Sequence, residues 1–271
     1  MVVDCGIAGD VSDVTGDEAA GITVRHDKVL RGTSDMRREP ALNEAALDMA
    51  LQAGAAAVRD EATQRGARVV GVGEVGIGNT TSAAALLAAL TGSQAAECCG
   101  RGTGLDDDGL AHKVATVREA CACHASAISK AAEAGEPARA REALRRVGGL
   151  ELAAMVGAYM EAPSHGVVTI VDGFISAVAA LCAVRMQPSC RAVMLFASAF
   201  EEEPTAARGG AVLSEALKTR PALSMGLRLG EASGAALALP MVRAAAALVT
   251  QMGTLQEALA LGPPAAAAEA P

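Results

Sequence analysis

The residues with the clearest capacity for chemistry lie in one glycine-rich stretch. Residues 69–82 have the sequence VVGVGEVGIGNTTS and lead into an Ala- and Leu-rich run that ends at Leu90. Glycines allow positive φ angles and let a ligand approach the main chain closely. Asn and Thr at a helix start supply cap acceptors, and the free amide groups there favour an anion. The pattern therefore predicts a strand, a phosphate-binding turn and a buried helix, in that order.

The same stretch matches the dinucleotide-binding fingerprint at Gly71, Gly73 and Gly76. That fold needs a second strand that ends in an acidic residue about 20 residues further on. Residues 97–100 (ECCG) follow instead, with no apolar strand before them. A P-loop would need a lysine where this chain has Asn79. A dinucleotide-dependent enzyme, and a tight turn required only for packing, are the alternatives that stay open.

Glu231 is a second acidic residue in an unusual setting. It lies between Gly230 and the small residues 232–234, ahead of a long apolar run. We expect a carboxylate held there to be partly desolvated, which would raise its pKa and suit it to accept a proton near neutral pH. The alternative is a glutamate that only caps the N-terminus of the helix that follows.

Cysteine usage and charge narrow the class of protein. Seven cysteines without framework spacing favour reduced thiols in a cytosolic protein. Cys121 and Cys123 precede His124, but residues two apart on a helix point to different sides, which disfavours a metal site there. A net charge of −8 in 271 residues argues against a non-specific nucleic-acid surface. Since no signal segment opens the chain and no apolar run approaches ~18 residues, we expect a cytoplasmic protein without a membrane span.

Strands and helices alternate along the chain. Apolar runs predict strands within residues 1–6, 22–25, 68–72, 166–171 and 192–197. Periodic or small-residue segments predict helices at 42–64, 79–90, after 107, 150–160 and 174–184. Pro240 should end or kink the last, Ala-rich helix. This alternation is typical of an α/β protein whose mostly parallel, Rossmann-like sheet is covered by helices on both faces.

The strand order also predicts where a ligand would bind. In open parallel sheets, ligands lie beyond the carboxyl ends of the strands. We therefore expect the loops that follow Asp4, Gly73, Asp172 and Ser198 to share one site.

Three long motifs together resemble one enzyme family. The motifs are residues 73–81 (GEVGIGNTT), 100–107 (GRGTGLDD) and 226–238 (GLRLGEASGAALA). The shorter segments at 3–10, 31–33 and 171–175 fit the same family in the same order. The chain from Val2 to about Leu259 thus resembles the nicotinate-nucleotide–dimethylbenzimidazole phosphoribosyltransferases of the cobalamin lower-ligand pathway.

The resemblance implies a definite reaction. The family transfers the phosphoribosyl group of nicotinate mononucleotide to 5,6-dimethylbenzimidazole, giving α-ribazole 5′-phosphate and nicotinate. Glu231 matches the family's catalytic glutamate, which acts as general base on the attacking benzimidazole nitrogen. Attack from the face opposite the leaving nicotinate explains inversion from the β to the α anomer. The resemblance implies no metal and no redox cofactor.

Substrate-binding roles follow from the same motifs. The turn that would hold the 5′-phosphate comprises Gly76, Gly78, Asn79 and Thr80, with Lys113 as its charge partner. Glu74 would lie near the ribose, and Val75 and Leu229 would line the flat base pocket. Ser198 would join the substrate site from the loop after the last strand.

The resemblance also predicts organisation and partners. We expect a phosphoribosyltransferase domain at 1–262 that includes an incomplete small helical subdomain. We expect a disordered tail at 263–271. The family has a segment before the Val2 strand that we expect this chain to lack, and it forms homodimers. The loop after Ser198 lacks the basic and imidazole residues of the family and carries three acids at 201–203 near the expected phosphate, so weaker nucleotide binding is expected. The rival hypothesis is a shortened, non-catalytic relative that at most binds a nucleotide phosphate.

Overall fold

Two parallel sheets form the framework of the protein. The computed structural model describes residues 1–17, 19–200 and 207–260. Its strands are β1 (Val2–Asp4), β2 (Val24–His26), β3 (Val69–Val72), β4 (Val168–Val171) and β5 (Met194–Phe196). β1 pairs with β2, while β3, β4 and β5 pair in that order in a separate sheet. A parallel bridge between Ser198 and Leu223 continues the second sheet beyond β5.

Helices make up most of the described chain. They are α1 (Glu44–Gln64), α2 (Asn79–Thr91), α3 (Ala95–Cys98), α4 (Asp107–Ala131), α5 (Glu136–Val147), α6 (Leu150–Glu161), α7 (Phe174–Met186), α8 (Ala207–Leu217), α9 (Ser233–Gln251) and α10 (Leu255–Ala260). Side-chain caps start two of the long ones, since Asn43 and Asp106 accept amide hydrogen bonds at the first turns of α1 and α4. The predicted bounds of α1, α2, α6 and α7 agree with these to within two residues.

The central strand shows that the larger sheet is covered on both faces. Successive side chains of a strand point to opposite faces. On β4, Ile170 packs with Ala235 and Ala238 of α9. Its neighbour Val171 packs into the main core, which includes Phe174 of α7. The predicted α/β fold with a mostly parallel, helix-covered sheet is therefore confirmed.

Glycines allow two core helices, α1 and α6, to touch through their backbones. A methyl group on Gly54 of α1 would lie 1.7 Å from the carbonyl oxygen of Ala154 on α6. On the partner helix, a methyl group on Gly157 would lie 1.8 Å from the carbonyl oxygen of Leu51. Real side-chain atoms cannot approach so closely, so this helix pair requires glycine at both positions.

The prediction for Pro240 needs correction on one point. The proline does not end the Ala-rich helix, because α9 runs from Ser233 to Gln251 with Pro240 inside it. Proline removes one amide donor and leaves the carbonyl four residues earlier without its usual partner. That carbonyl belongs to Ala236, which is exposed, so water can donate a hydrogen bond to it.

The expectation that no apolar stretch reaches membrane-spanning length is wrong for α9. Among the residues described, it is the one helix that is long and apolar enough to cross a membrane, with mean hydropathy 1.5. Only 17% of its most apolar 18-residue stretch is buried. One such helix is weak evidence by itself, because a soluble protein can contain one. Its inner side packs on the sheet, while Leu248 and Val249 on its far half are exposed.

Two segments differ from a simple strand–helix alternation. The charged segment before Gly148 forms α5, in which Arg145 pairs with Glu142 at 2.7 Å and Arg141 reaches Asp48 of α1 at 2.6 Å. Between α2 and α4 the chain forms the single-turn helix α3, where a dinucleotide-binding unit would have its second strand. The predictions for residues 201–203 and for the tail at 263–271 lie outside the described residues.

Candidate functional site

Three of the four predicted loops come together at the carboxyl edge of the larger sheet. Gly73 after β3 and Asp172 after β4 both contact the start of α9, and so does Ser198 after β5. Asp4 ends β1 in the other sheet. Its carboxylate accepts the amides of its own turn and lies 3.2 Å from the Lys28 ammonium. The expectation of one site shared by all four loops is thus met by the three that belong to the β3–β5 sheet.

The glycine-rich turn after β3 ends at an open helix N-terminus. Gly78 is the cap residue of α2 and adopts φ 83°, a left-handed conformation that glycine reaches without strain. The prediction that Asn79 and Thr80 supply the cap acceptors is wrong. The helix starts at Asn79 itself, so these side chains lie inside the first turn, and Gly78 has no side chain to offer. The first-turn amide groups therefore have no side-chain acceptor from the cap residue, an arrangement that favours an anion.

Lys113 of α4 brings a positive charge to this helix start. Its ammonium donates to Thr80 Oγ1 and to the Gly100 carbonyl oxygen, each at 2.9 Å. The side chain is buried, and burial lowers the pKa of Lys113. Within the parts of the chain that the structure describes, no carboxylate lies within salt-bridge distance of it. A buried ammonium whose partners are neutral oxygens retains a strong attraction for an anion.

The second glycine-rich loop covers the same helix start. A methyl group on Gly102 would lie 3.1 Å from Thr80 Oγ1 and 3.8 Å from the Lys113 ammonium. Gly102 is itself buried with φ 56°. The sequence identified this loop only as part of a family motif. The structure shows that it forms a wall over the proposed phosphate turn.

Glu74 connects the phosphate turn to the last loop of the site. Asn79 donates a hydrogen bond from its side-chain amide to Glu74 Oε2. The other carboxylate oxygen, Oε1, lies 3.5 Å from where a methyl group on Gly230 would be. Just before it, a methyl group on Gly73 would lie 2.3 Å from the amide nitrogen of Ala232. The loops that carry Glu74 and Glu231 are therefore in direct contact, although they are far apart in sequence.

Glu231 lies on a turn with an unusual backbone. Glu231 has φ 56° and Ala232 has φ 62°, and the preceding Gly230 has φ 75°. Left-handed conformations are strained for residues that have a Cβ atom. The side chain of Glu231 is exposed, so the expected partial desolvation is wrong in the described structure. No described element covers this tip of the loop, which explains its exposure.

Asp172 caps the start of α9, a role that the sequence offered as the alternative for Glu231. Its Oδ2 accepts the amide of Ala232 at 3.0 Å, and its Oδ1 accepts the amide of Ala235 at 2.9 Å. The cap residue Ala232 has no polar side chain of its own. Burial raises the pKa of Asp172, and its backbone donors, including the amide of Gly234, counter that rise because they favour the carboxylate.

The remaining predicted residues fall into two groups. Val75 and Leu229 are 79% and 70% exposed and adjoin the two acidic loops, so they are free to line a substrate surface. Ser198 is buried instead, with its Oγ placed 2.2 Å from where a methyl group on Gly234 would be. In this structure Ser198 packs beneath the start of α9.

The described residues contain no cluster of three or more metal-binding side chains. His124 is buried and hydrogen-bonds through Nε2 to the Met36 carbonyl oxygen at 2.9 Å and through Nδ1 to Arg146 at 3.1 Å. Cys123 is exposed, and Cys121 Sγ faces the Ala85 carbonyl oxygen at 3.6 Å. These side chains diverge, as the spacing on a helix predicts.

Sequence reasoning missed two contributors to the site, Asp172 as a cap and Gly102 as a wall. The sequence places the loop after Asp172 at the ligand edge of the sheet, but the hydrogen bonds of Asp172 to the start of α9 have no local signal, because the partners are 60 residues apart or more. The contact of Gly102 with Thr80 had no such signal, since it depends on how α4 packs beside α2. The arrangement as a whole offers an anion site with one buried cation, flanked by two carboxylate-bearing loops and exposed apolar side chains.

The fold and this site define an α/β protein whose open helix N-terminus, beside paired acidic loops, is suited to an anionic group. A phosphoribosyltransferase family model (DBI_PRT) matches residues 1–259. The chain therefore belongs to this phosphoribosyltransferase family, as its motifs predict.

Named relatives agree with the family model. A Pseudomonas aeruginosa protein called nicotinate-nucleotide–dimethylbenzimidazole phosphoribosyltransferase is 44% identical over 264 residues, which are 97% of this chain and 69% of that protein. A Pseudomonas putida protein of the same name is 46% identical over 242 residues, which are 89% of this chain and 65% of that protein. The crystal structure of CobT from Thermus thermophilus matches with a TM-score of 0.79 at 36% identity, over 95% of this chain and 70% of that one.

Proposed function

We propose that this chain transfers the phosphoribosyl group of nicotinate mononucleotide to 5,6-dimethylbenzimidazole, giving α-ribazole 5′-phosphate and nicotinate for cobalamin synthesis. The observation that carries the proposal is the contact between the phosphate turn and the last loop. The open start of α2, with buried Lys113 beside it, adjoins Glu74, and Glu74 contacts the turn that presents Glu231. The names of the related proteins support the choice of substrates.

The reaction needs one general base to accept a proton and little general-acid catalysis. The bond between ribose C1′ and the nicotinate ring nitrogen breaks, and the leaving nitrogen takes back the electron pair that neutralises its positive charge. A benzimidazole nitrogen forms the new bond to C1′ from the opposite face, which converts the β anomer to the α anomer. The attacking nitrogen uses its free lone pair, so the proton is lost from the other ring nitrogen of the benzimidazole and not from the attacking one. Glu231 is the carboxylate proposed to accept it.

The other residues bind and orient the nucleotide. The 5′-phosphate would accept hydrogen bonds from the amides of the Gly76–Thr80 turn, including Gly78 and Asn79, with the Lys113 charge close by. Glu74 would face the ribose, where a carboxylate binds hydroxyl groups and stabilises positive charge that develops at C1′. Val75 and Leu229 would pack on the flat base, and Ser198 would support the loop from below. No residue in this scheme requires a metal or redox cofactor.

We further propose that residues 1–262 act as one phosphoribosyltransferase domain, in the cytoplasm and as a homodimer. Both substrates are small and water-soluble, so the reaction needs neither nucleic acid nor a membrane. Sedimentation velocity tests the dimer, because one chain has a mass of 27.1 kDa. A single species of that mass at all concentrations would exclude it.

A second candidate is a relative that binds the nucleotide phosphate without catalysis. The observation in its favour is that the phosphate turn is walled and charged, whereas Glu231, Val75 and Leu229 are all exposed. In that case the chain would bind nicotinate mononucleotide but leave it intact when the base is added.

One incubation separates the two candidates. Purified, folded protein is mixed with nicotinate mononucleotide and 5,6-dimethylbenzimidazole, and α-ribazole 5′-phosphate and nicotinate are measured by chromatography. The transferase proposal expects both products in equal amounts and only when both substrates are present. Protein that binds the nucleotide but forms neither product would support the second candidate and exclude the first.

A further inference from the structure

The turn that carries Glu231 is closed by its own hydrogen bond, from the Ser233 amide to the Gly230 carbonyl oxygen at 2.9 Å, but its backbone is strained. Gly230, Glu231 and Ala232 have three successive positive φ angles, and only the first is a glycine. Strained conformations of this kind persist only where the surroundings fix them. Groups outside the turn therefore help to keep Glu231 in place.

Asp172 binds this turn from beneath through two backbone hydrogen bonds. Its two oxygens accept amides on either side of the helix start, from Ala232 and from Ala235. The side chain is 2% exposed, and no described Lys or Arg lies within salt-bridge distance of it. Its charge is therefore matched by the amide groups at the start of α9, an arrangement that the helix dipole favours.

Neighbouring groups hold Asp172 in this position. Gly234 packs against it so closely that a methyl group there would lie 2.8 Å from Asp172 Oδ1. On the other side of the turn, Gly73 leaves no room for a side chain beside the Ala232 amide. Tyr159 is fully buried nearby, and its pKa is raised by burial and then by the charge of Asp172. The carboxylate is thus confined between the core and the turn.

We infer that Asp172 is a positioning residue: by binding the amides of Ala232 and Ala235 it fixes the strained turn and so sets where the Glu231 carboxylate meets the substrate. This inference rests on the proposed function, in which Glu231 is the base. Asp172 itself is beneath the turn and would not touch the reacting atoms. An amide in place of the carboxylate would present a donor to at least one of these backbone donors, and the turn would lose its shape.

The inference predicts a separation of kcat from KM. The hydrogen bonds of Asp172 go to the start of α9, whereas the phosphate turn is built by groups of α2 and α4. In Asp172→Asn we expect kcat to fall on the order of 10- to 100-fold, because small displacements of a reacting group cost that much. KM for nicotinate mononucleotide should stay within about threefold. Thr169→Val is the matched control, since Thr169 is buried on β4, the strand that Asp172 follows, and donates to the Val193 carbonyl oxygen instead of binding the turn.

A double-mutant cycle with Glu231→Gln tests whether Asp172 acts through Glu231. If it does, adding Asp172→Asn to Glu231→Gln changes kcat by less than about twofold, because the base that Asp172 positions is already gone. A merely structural role predicts the same large factor in both backgrounds. Equal factors, or a wild-type kcat in Asp172→Asn alone, would overturn the inference.

Amide hydrogen exchange gives a readout that does not depend on activity. In the wild-type protein the amides of Ala232 and Ala235 should be protected although the turn is exposed, and Asp172→Asn should speed their exchange about tenfold or more while α2 is unchanged. Unprotected amides in the wild type would overturn the inference even if Asp172→Asn cannot be purified. If the wild type forms no α-ribazole phosphate, the proposed function fails, and exchange still decides whether Asp172 holds the turn.

Discussion

At the scale of single residues, Lys113 is the buried cation of the proposed phosphate site. Replacing it with methionine keeps most of its volume and removes the charge that would face the 5′-phosphate. We expect Lys113→Met to raise the KM for nicotinate mononucleotide about tenfold or more, since a charge-assisted hydrogen bond contributes roughly 1.5–3 kcal/mol. Initial rates measured against nucleotide concentration give this value.

The control for that experiment is Lys130→Met on the same helix. Lys130 is exposed in the last turn of α4, so its loss should leave the nucleotide KM unchanged within error. If both substitutions raised KM equally, the effect would come from net charge alone, and the place assigned to the phosphate would be wrong.

His124 makes the stability of the protein depend on pH. Burial lowers its pKa, and Arg146 nearby adds to that effect. The unfolded chain therefore binds a proton near pH 6.5 that the folded chain binds only at lower pH, so the free energy of unfolding rises with pH through that window. This contribution should be fully present above about pH 6.5 and decline as the pH falls below it.

Urea unfolding between about pH 5.5 and 7 measures this dependence. His124→Gln keeps a hydrogen-bonding side chain that does not titrate, so we expect a flatter profile than the wild type shows. His112→Gln is the control, because His112 is exposed on the same helix. A wild-type slope in His124→Gln would show that another group carries the pH dependence.

At the scale of elements, the crossing of α1 and α6 depends on direct backbone contact. A methyl group at Gly54 would overlap the Ala154 carbonyl oxygen, so the two helices would have to move apart. We expect Gly54→Ala to lower the free energy of unfolding by about 2 kcal/mol or more, in the range known for overpacked cores. Gly9→Ala, where nothing lies within 4 Å of the added group, should change it by less than about 0.5 kcal/mol.

The urea midpoints of the two variants decide the matter. Equal stabilities for Gly54→Ala and Gly9→Ala would contradict the packing that places α1 against α6. Because β3 follows directly after α1 in the chain, a shift of α1 is also expected to disturb the strand that leads into the phosphate turn.

The elements themselves were largely predictable, and the reasons differ from one to another. β3, the glycine turn and α2 were predicted together, since an apolar run, a glycine cluster and a small-residue run each have a clear local signal. The path of α9 through Pro240 was not predicted, because tolerance of the proline depends on the exposure of Ala236, a tertiary property. The cap from Asp172 was missed for the same reason, since the donor and acceptor are 60 residues apart or more.

At the scale of the whole molecule, the parallel sheet explains why distant motifs form one site. Gly73, Asp172 and Ser198 follow neighbouring strands of the β3–β5 sheet, and the start of α9 packs against all three. Asp4 does not join them, because β1 pairs with β2 in a separate sheet. Sequence spacing could place each loop at a carboxyl end, but could not assign the strands to two sheets.

The comparison with relatives shows which parts of the proposed site this chain contains. This chain aligns along 97% of its length with the Pseudomonas aeruginosa protein and spans 69% of that protein. All three family motifs lie within the residues that the family model matches, so the anion site and both acidic loops are present together. Val75, Leu229 and Glu231 are exposed. The part of the site that would bind dimethylbenzimidazole is therefore the part that activity measurements must test.

The most direct test of the central claim is the kcat of Glu231→Gln compared with the wild type and with Glu133→Gln. Glu133 is an exposed glutamate outside the site, so its substitution makes the same charge change and should leave kcat unaltered. For Glu231→Gln we expect α-ribazole phosphate formation to fall on the order of 100-fold, with nucleotide binding measured by calorimetry unchanged within about threefold. A wild-type kcat in Glu231→Gln would contradict the account.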